Sequence, residues 1–312
     1  MRPVRPLAEA LAEGALVLDG GLASRLEEQG CDLSGELWSA RLLADGPDRI
    51  EAAHRAYVRA GARVLITASY QASYEGFARR GLTRAGAERL FTRSVRLARA
   101  AAEDSSDEVW VAASVGPYGA VLADGGEYRG RYGLTVRELE RFHRPRVEAL
   151  AAAGPDVLAL ETVPDTDEAE ALLRAAEGCG VPVWLSYTVS GTRTRAGQDL
   201  DTAFGLVRGL DHVVAAGVNC GEPPDTAAAV AHAARLTGKP VVAYPNSGET
   251  WDARRGAWTG PVTYNAHRVT DWLNAGARLV GGCCRTGPGT IADVAATVSA
   301  YEPGAGGGAG RG

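Results

Sequence analysis

Gly281-Gly282-Cys283-Cys284-Arg285 sets two adjacent thiols directly after the apolar run Ala277–Val280. In a protein core this is a poor choice. Adjacent strand residues face opposite ways, so one thiol would point outward, and paired thiols are prone to oxidation. As metal ligands the same residues make sense, because glycines let the backbone turn closely around an ion that both thiolates reach. A third thiol has an equivalent setting, Cys220 at the end of His212-Val213-Val214-Ala215-Ala216-Gly217-Val218-Asn219-Cys220. Three cysteines at strand ends, Cys220, Cys283 and Cys284, predict a zinc site with a free fourth position, as a catalytic zinc requires. Cys31 and Cys179 have no thiol or histidine neighbours and read as ordinary structural cysteines. The five histidines show no ligand spacing such as His-x-x-x-His.

Two carboxylates also end apolar runs. Glu161 closes Val157-Leu158-Ala159-Leu160, and there it faces a rim or leaves a charge buried. Asp19 precedes Gly20 and Gly21. Together the two acids can hold a substrate ammonium while the amides of Gly20 and Gly21 hold a carboxylate in a backbone nest, which describes an α-amino acid pocket. The segment Gly116–Gly133 carries three tyrosines and mixed charges; a connection this long predicts an ordered lid.

The elements that must position these groups alternate along the chain. Strands are predicted at Ala15–Asp19, Arg63–Ser69, Val109–Val115, Val157–Glu161, Val183–Thr188, His212–Asn219, Val241–Pro245 and Ala277–Gly281. Helical periodicity falls between them, at Arg84–Ala102, Thr135–Ala153, Asp167–Glu177, Thr226–Leu236 and Ala266–Ala275. Thr135-Val136-Arg137-Glu138 is a capping box, and Asp225 is placed to cap the alanine-rich helix that follows. Eight strands with helical crossovers predict an α/β fold, a single (β/α)8 TIM barrel over residues 1–302, followed by a disordered glycine-rich tail at 303–312. An open doubly wound sheet would call for Gly-x-Gly-x-x-Gly after the first strand, and Asp19-Gly20-Gly21-Leu22-Ala23-Ser24 does not match. In a barrel the strand C-termini form the active face, so Thr67, Ser69, Ser114, Ser186, Asn219, Asn246 and Ser247 share it with the acids and thiols. Two strand spacings, about 10 Å, separate Cys220 from the Cys283–Cys284 pair along that rim.

Composition narrows the function. The chain has 312 residues, 46% hydrophobic and 23% charged, enough for one large α/β domain. A net charge of −5 with dispersed arginines gives no footprint for nucleic acid. No apolar stretch approaches the roughly 20 residues of a membrane span. Arg2 and Arg5 are followed by Glu9 and Glu13, so no secretory apolar region forms, and cytoplasmic residence with reduced thiols is expected. The single lysine, Lys239, precedes a strand at the end remote from the rim, which argues against a Schiff-base aldolase.

Asp19-Gly20-Gly21, Ile66–Ala72, Ser114–Ala120, Gly126-Glu127-Tyr128-Arg129-Gly130, Phe142-His143-Arg144-Pro145-Arg146, Glu161-Thr162, Val218-Asn219-Cys220, Tyr244–Glu249 and Gly281–Thr286 resemble homocysteine S-methyltransferases. The resemblance runs from about residue 8 to residue 300. The Gly-Pro-Tyr-Gly-Ala and Glu-Tyr-Arg-Gly segments are similar to the branch using S-methylmethionine or S-adenosylmethionine. It implies a (β/α)8 barrel, zinc on Cys220, Cys283 and Cys284, and Asp19 and Glu161 near the homocysteine amino group. Gly20, Gly21, Asn219 and Ser247 complete the expected substrate site, with Trp38, Tyr70 and Tyr118 as aromatic faces for the sulfonium, worth about 0.5–2 kcal/mol each. Zinc would hold the homocysteine thiol as thiolate, and the sulfonium's leaving group would depart as a neutral thioether. Other readings stand beside this one: a betaine- or selenocysteine-type methyltransferase of the same fold, a zinc hydrolase, or a non-enzymatic zinc barrel. Hydrolytic zinc favours His and carboxylate ligands, and a closed structural site wants four protein ligands.

Overall fold

The computed structural model describes residues 2–33, 37–122, 125–252 and 257–302. The glycine-rich tail expected at 303–312 lies outside the described residues. Eight parallel strands form the sheet: β1 (Leu16–Val17), β2 (Val64–Ile66), β3 (Trp110–Val115), β4 (Val157–Val163), β5 (Val183–Tyr187), β6 (Val213–Asn219), β7 (Val241–Tyr244) and β8 (Ala277–Val280). Each pairs with its barrel neighbours, and β8 pairs with β1 through Leu16–Leu279 and Val17–Val280. Between β1 and β2 the ring is closed by a parallel bridge from Leu18 to Val64, and Arg63 N–H donates to Val17 O at 2.7 Å. The fold is the (β/α)8 barrel read from the alternating runs.

Strands buried on both faces need continuous apolar side chains. The barrel interior is filled by Leu18, Val64, Trp110, Val157, Trp184, Val242 and Leu279, while Leu7 and Leu11 of the Leu7–Glu13 helix close one end. The outer layer packs the strands' other faces against the helices. Arg84–Ala102 and Ala266–Ala275 are helical as expected, and Thr135 makes the predicted capping box with Glu138. One boundary differs. The helix expected at Thr226–Leu236 spans Pro223–Thr237, because two prolines pre-set the first-turn φ and start it three residues earlier. Asp225 instead accepts the Gly191 N–H at 2.7 Å. Among the described residues no helix is long and apolar enough to cross a membrane.

Strand β4 is irregular at its C-terminal end. Leu160 pairs with Leu185 and Val163 with Tyr187, so Glu161 and Thr162 together stand opposite one residue, a β-bulge. Thr162 has φ +59°, the left-handed region that a β-branched residue rarely enters. The bulge re-aims the Glu161 side chain at the rim.

Candidate active site

At the strand C-termini the Sγ atoms of Cys220, Cys283 and Cys284 lie within 4.8 Å of one another, with Cys220 and Cys284 3.8 Å apart. A tetrahedral ion with Zn–S bonds of about 2.3 Å sets neighbouring sulfurs about 3.8 Å apart, the spacing of the Cys220–Cys284 pair, so the donor set suits such an ion. The backbone is shaped for this. Cys220 adopts φ +53° and its N–H donates to Tyr244 O at 3.2 Å, while Cys283 N–H donates to Pro245 O at 2.8 Å. Asn246 ties the two cysteine loops together: its Oδ1 accepts Cys284 N–H at 3.0 Å and its Nδ2 donates to Cys220 O at 3.3 Å. A Cβ on Gly21 would stand 2.3 Å from Cys283 O, so only glycine lets the loop after β1 pass. Three thiols this close do not all ionise without a cation. Hydrogen bonds from Cys220 and Cys283 pull the Cys284 thiol well below its ordinary value, and Cys283, bonded to both neighbours, is held well above.

Glu161 lies buried beside the cluster. Its Oε1 accepts from Ser114 Oγ and its Oε2 from Tyr244 OH at 3.1 Å. Burial pushes its carboxyl up to about 7, against the pull of those two hydroxyls. Tyr244 is fixed in turn by Trp184 Nε1 at 3.1 Å and Ser186 Oγ at 2.7 Å. Asn219 grips the strained Thr162 twice, accepting its N–H at 2.8 Å and donating to its Oγ1 at 2.7 Å. Asp19 is also buried. Its Oδ2 accepts Ile66 N–H at 2.9 Å, and Oδ1 has no hydrogen-bond partner among the described residues. Burial drives its carboxyl well above the usual range.

A cavity of about 130 Å³ borders the cysteines and Glu161, and Asp19 lies outside its wall. Its wall includes the three cysteines, Glu161, Thr162, Tyr244, Gly20, Gly21 and Tyr70. From the lid come Glu127 and Tyr128, on a short 3-10 turn at Gly126–Tyr128. Tyr128 is 38% exposed, yet its hydroxyl reaches inward to 3.1 Å from Cys220 Sγ, and the Arg195 guanidinium lies 5.7 Å from its ring centroid.

The homocysteine S-methyltransferase family model matches residues 16–298. The chain belongs to this family. It is 44% identical to the homocysteine S-methyltransferase of Escherichia coli K12, over 93% of this chain and 96% of that protein. It is 40% identical to homocysteine S-methyltransferase YbgG of Bacillus subtilis, over 95% and 98%. The metallated form of the E. coli homocysteine methyltransferase MmuM superimposes with a TM-score of 0.84 at 44% identity, covering 94% of this chain and 99% of that one.

Among the residues that pointed to this methyltransferase family in the sequence, the structure brings together Cys220, Cys283, Cys284, Glu161, Gly20, Gly21 and Tyr70 around one cavity. It sets others apart. Gly21 N–H donates to Thr286 O at 2.9 Å, so that amide is used within the fold and does not serve a nest. Asn219 spends its amide on Thr162 and positions the bulge from behind. Ser247 turns away from the cavity and donates to Glu249 Oε2 at 3.0 Å. Tyr118 packs edge-on against Tyr132 and Phe142, at 5.2 and 4.9 Å, and does not line the cavity. The Trp38 side chain lies outside what is described. Tyr128, Tyr244 and Thr162 enter the wall unforeseen as site residues; each stood inside a family-like motif, which was the signal available. Cys31 and Cys179 are half-buried and packed against the outer core, away from the cluster.

Proposed function

We propose that the chain transfers a methyl group from a sulfonium donor, S-methylmethionine and more weakly S-adenosylmethionine, to homocysteine to give methionine. The observation that carries this reading is the convergence of three cysteine Sγ atoms, within 4.8 Å of one another, on the same small cavity as buried Glu161. Cys220, Cys283 and Cys284 hold zinc, which when bound keeps the substrate sulfur deprotonated and nucleophilic. Glu161, aimed by the β4 bulge, takes the homocysteine ammonium, and Asp19 Oδ1 offers a second acceptor beneath it. Formation of that ion pair draws the Glu161 carboxyl back down to the charged state. Gly20 stays at the wall for the substrate carboxylate.

The wall also selects the donor. Among the described residues lining the cavity, the charged and ionisable ones are Glu127, Glu161, the thiols and tyrosines, with no Arg or Lys. An anionic wall with Tyr70 and Tyr128 favours a cation, and folate-type donors carry the wrong sign. The thioether leaves neutral, so neither a general base nor a corrinoid is needed. Three metal-binding thiols that must stay reduced favour a reducing compartment such as the cytoplasm.

The test is an assay of zinc-loaded protein with homocysteine and four donors: S-methylmethionine, S-adenosylmethionine, betaine and methyltetrahydrofolate. Methionine should form from the first, and more slowly from the second. Turnover only with betaine or the folate overturns the donor assignment. A chiral-methyl donor should show inversion, because one in-line displacement forms no methylated enzyme; retention contradicts direct transfer.

A further inference from the structure

The lid is hung from a buried polar hub that the reaction itself does not use. Glu168, fully buried in the first turn of the Thr166–Ala176 helix, accepts the backbone N–H of Tyr118 on Oε1 and the Tyr132 hydroxyl on Oε2 at 3.1 Å. His143 Nε2, from the Val136–Ala152 helix, lies 2.9 Å from the same Oε1. The helix cap Asp165 adds a second grip: its Oδ1 accepts Glu168 N–H at 2.8 Å and its Oδ2 accepts Arg131 N–H at 2.7 Å. Buried Arg146 donates to Gly116 O, where the lid leaves β3. Tyr118 thus fixes the start of the lid and Arg131 and Tyr132 fix its end. Between them hang Glu127 and Tyr128, the two side chains the lid sends to the cavity wall.

Burying a carboxylate, an imidazole and a guanidinium together is costly, and well-packed apolar side chains hold loops at less expense in desolvation. What a hydrogen-bonded hub adds is a fixed geometry, and here that geometry decides how deeply Tyr128 approaches Cys220. We propose that Glu168 is a positioning residue for the methyl donor: by gripping Tyr118 and Tyr132 it sets the depth at which Glu127 and Tyr128 face the sulfonium. This rests on the sulfonium-donor reading. Glu168 touches neither substrate and lies outside the cavity wall. Homocysteine is held chiefly by Glu161 and the cysteines past the strand ends, so a shift of the lid weighs far more on the donor than on homocysteine.

Steady-state kinetics of the full-length zinc-loaded enzyme test this, with S-methylmethionine and homocysteine varied separately. Glu168→Ala should raise the KM for S-methylmethionine at least tenfold and leave the KM for homocysteine within twofold. Glu168→Gln, which keeps the shape and an acceptor for Tyr118, should restore most of the loss. Tyr132→Phe should move the donor KM the same way by a smaller factor, and combining it with Glu168→Ala should add nothing further. Amide exchange should quicken at 118–122 and 126–132 in both single variants, with the barrel strands unchanged. Equal rises in both KM values, or an unchanged donor KM in Tyr132→Phe, overturn the role of Glu168. If Glu168→Ala does not fold, Tyr132→Phe decides alone. A wild-type enzyme inactive with S-methylmethionine would instead overturn the reading of function, so the two failures are told apart.

Discussion

At the scale of single residues, the buried Glu161 decides how the substrate ammonium is held. Its carboxyl sits near 7 because it is buried, and two hydroxyl donors only partly offset that. A protonated Glu161 cannot pair with an ammonium, so the KM for homocysteine should rise about tenfold per pH unit below 7 and level off above it. Glu161→Gln should flatten this profile and raise the KM at pH 8 by roughly tenfold to a hundredfold, the 1.5–3 kcal/mol of a hydrogen bond to a charged group. The same carboxyl destabilises the folded chain when ionised, since its folded pKa lies above the unfolded one. Stability is therefore full below about pH 4.5 and lost as pH rises toward 7. At pH 8 Glu161→Gln should be more stable than the wild type by up to about 3 kcal/mol and so unfold at a higher temperature, with the gap closing near pH 4.5. A Gln variant with an unchanged KM profile would remove Glu161 from the ammonium site.

At the scale of elements, the site depends on how strands end. Thr162 at φ +59° costs on the order of 1–3 kcal/mol, and Asn219 holds it with two hydrogen bonds while Ser186 Oγ donates to the same amide oxygen at 2.9 Å. Asn219→Ala should relax the bulge, raising the homocysteine KM about tenfold with the zinc content unchanged; a loss of zinc instead would mean Asn219 acts on Cys220. How far such elements are legible in sequence differs by feature. Barrel strands were readable because burial on both faces demands apolar runs, and Arg84–Ala102 because its apolar side chains recur at helical spacing. The thiols and acids stood out because they ended those runs. Nothing local revealed that Asn219 points at Thr162, that Thr286 takes the Gly21 amide, or that Tyr128 and not Tyr118 reaches the cysteines. Those facts depend on partners dozens to hundreds of residues away. Asp225 misled because cap chemistry was read without the two prolines before it.

At the scale of the whole molecule, stability and chemistry are kept at different places. The core fills the barrel and the layer beneath the helices, whereas the cysteines stand on loops past the strand ends. Cys220→Ala should therefore keep the wild-type far-ultraviolet circular dichroism and a cooperative unfolding transition while losing most bound zinc and all methyl transfer. Chelation should do the same reversibly, lowering the unfolding temperature only by the mass-action stabilisation that the metal supplied. An unfolded Cys220→Ala chain would make the metal structural. On this reading three cysteines hold a zinc whose free corner takes the substrate sulfur. X-ray absorption at the zinc edge reads this directly. Three sulfurs at about 2.3 Å and one lighter ligand are expected in the resting enzyme, and four sulfurs once homocysteine is added. A spectrum unchanged by homocysteine, or four sulfurs before it is added, would contradict it.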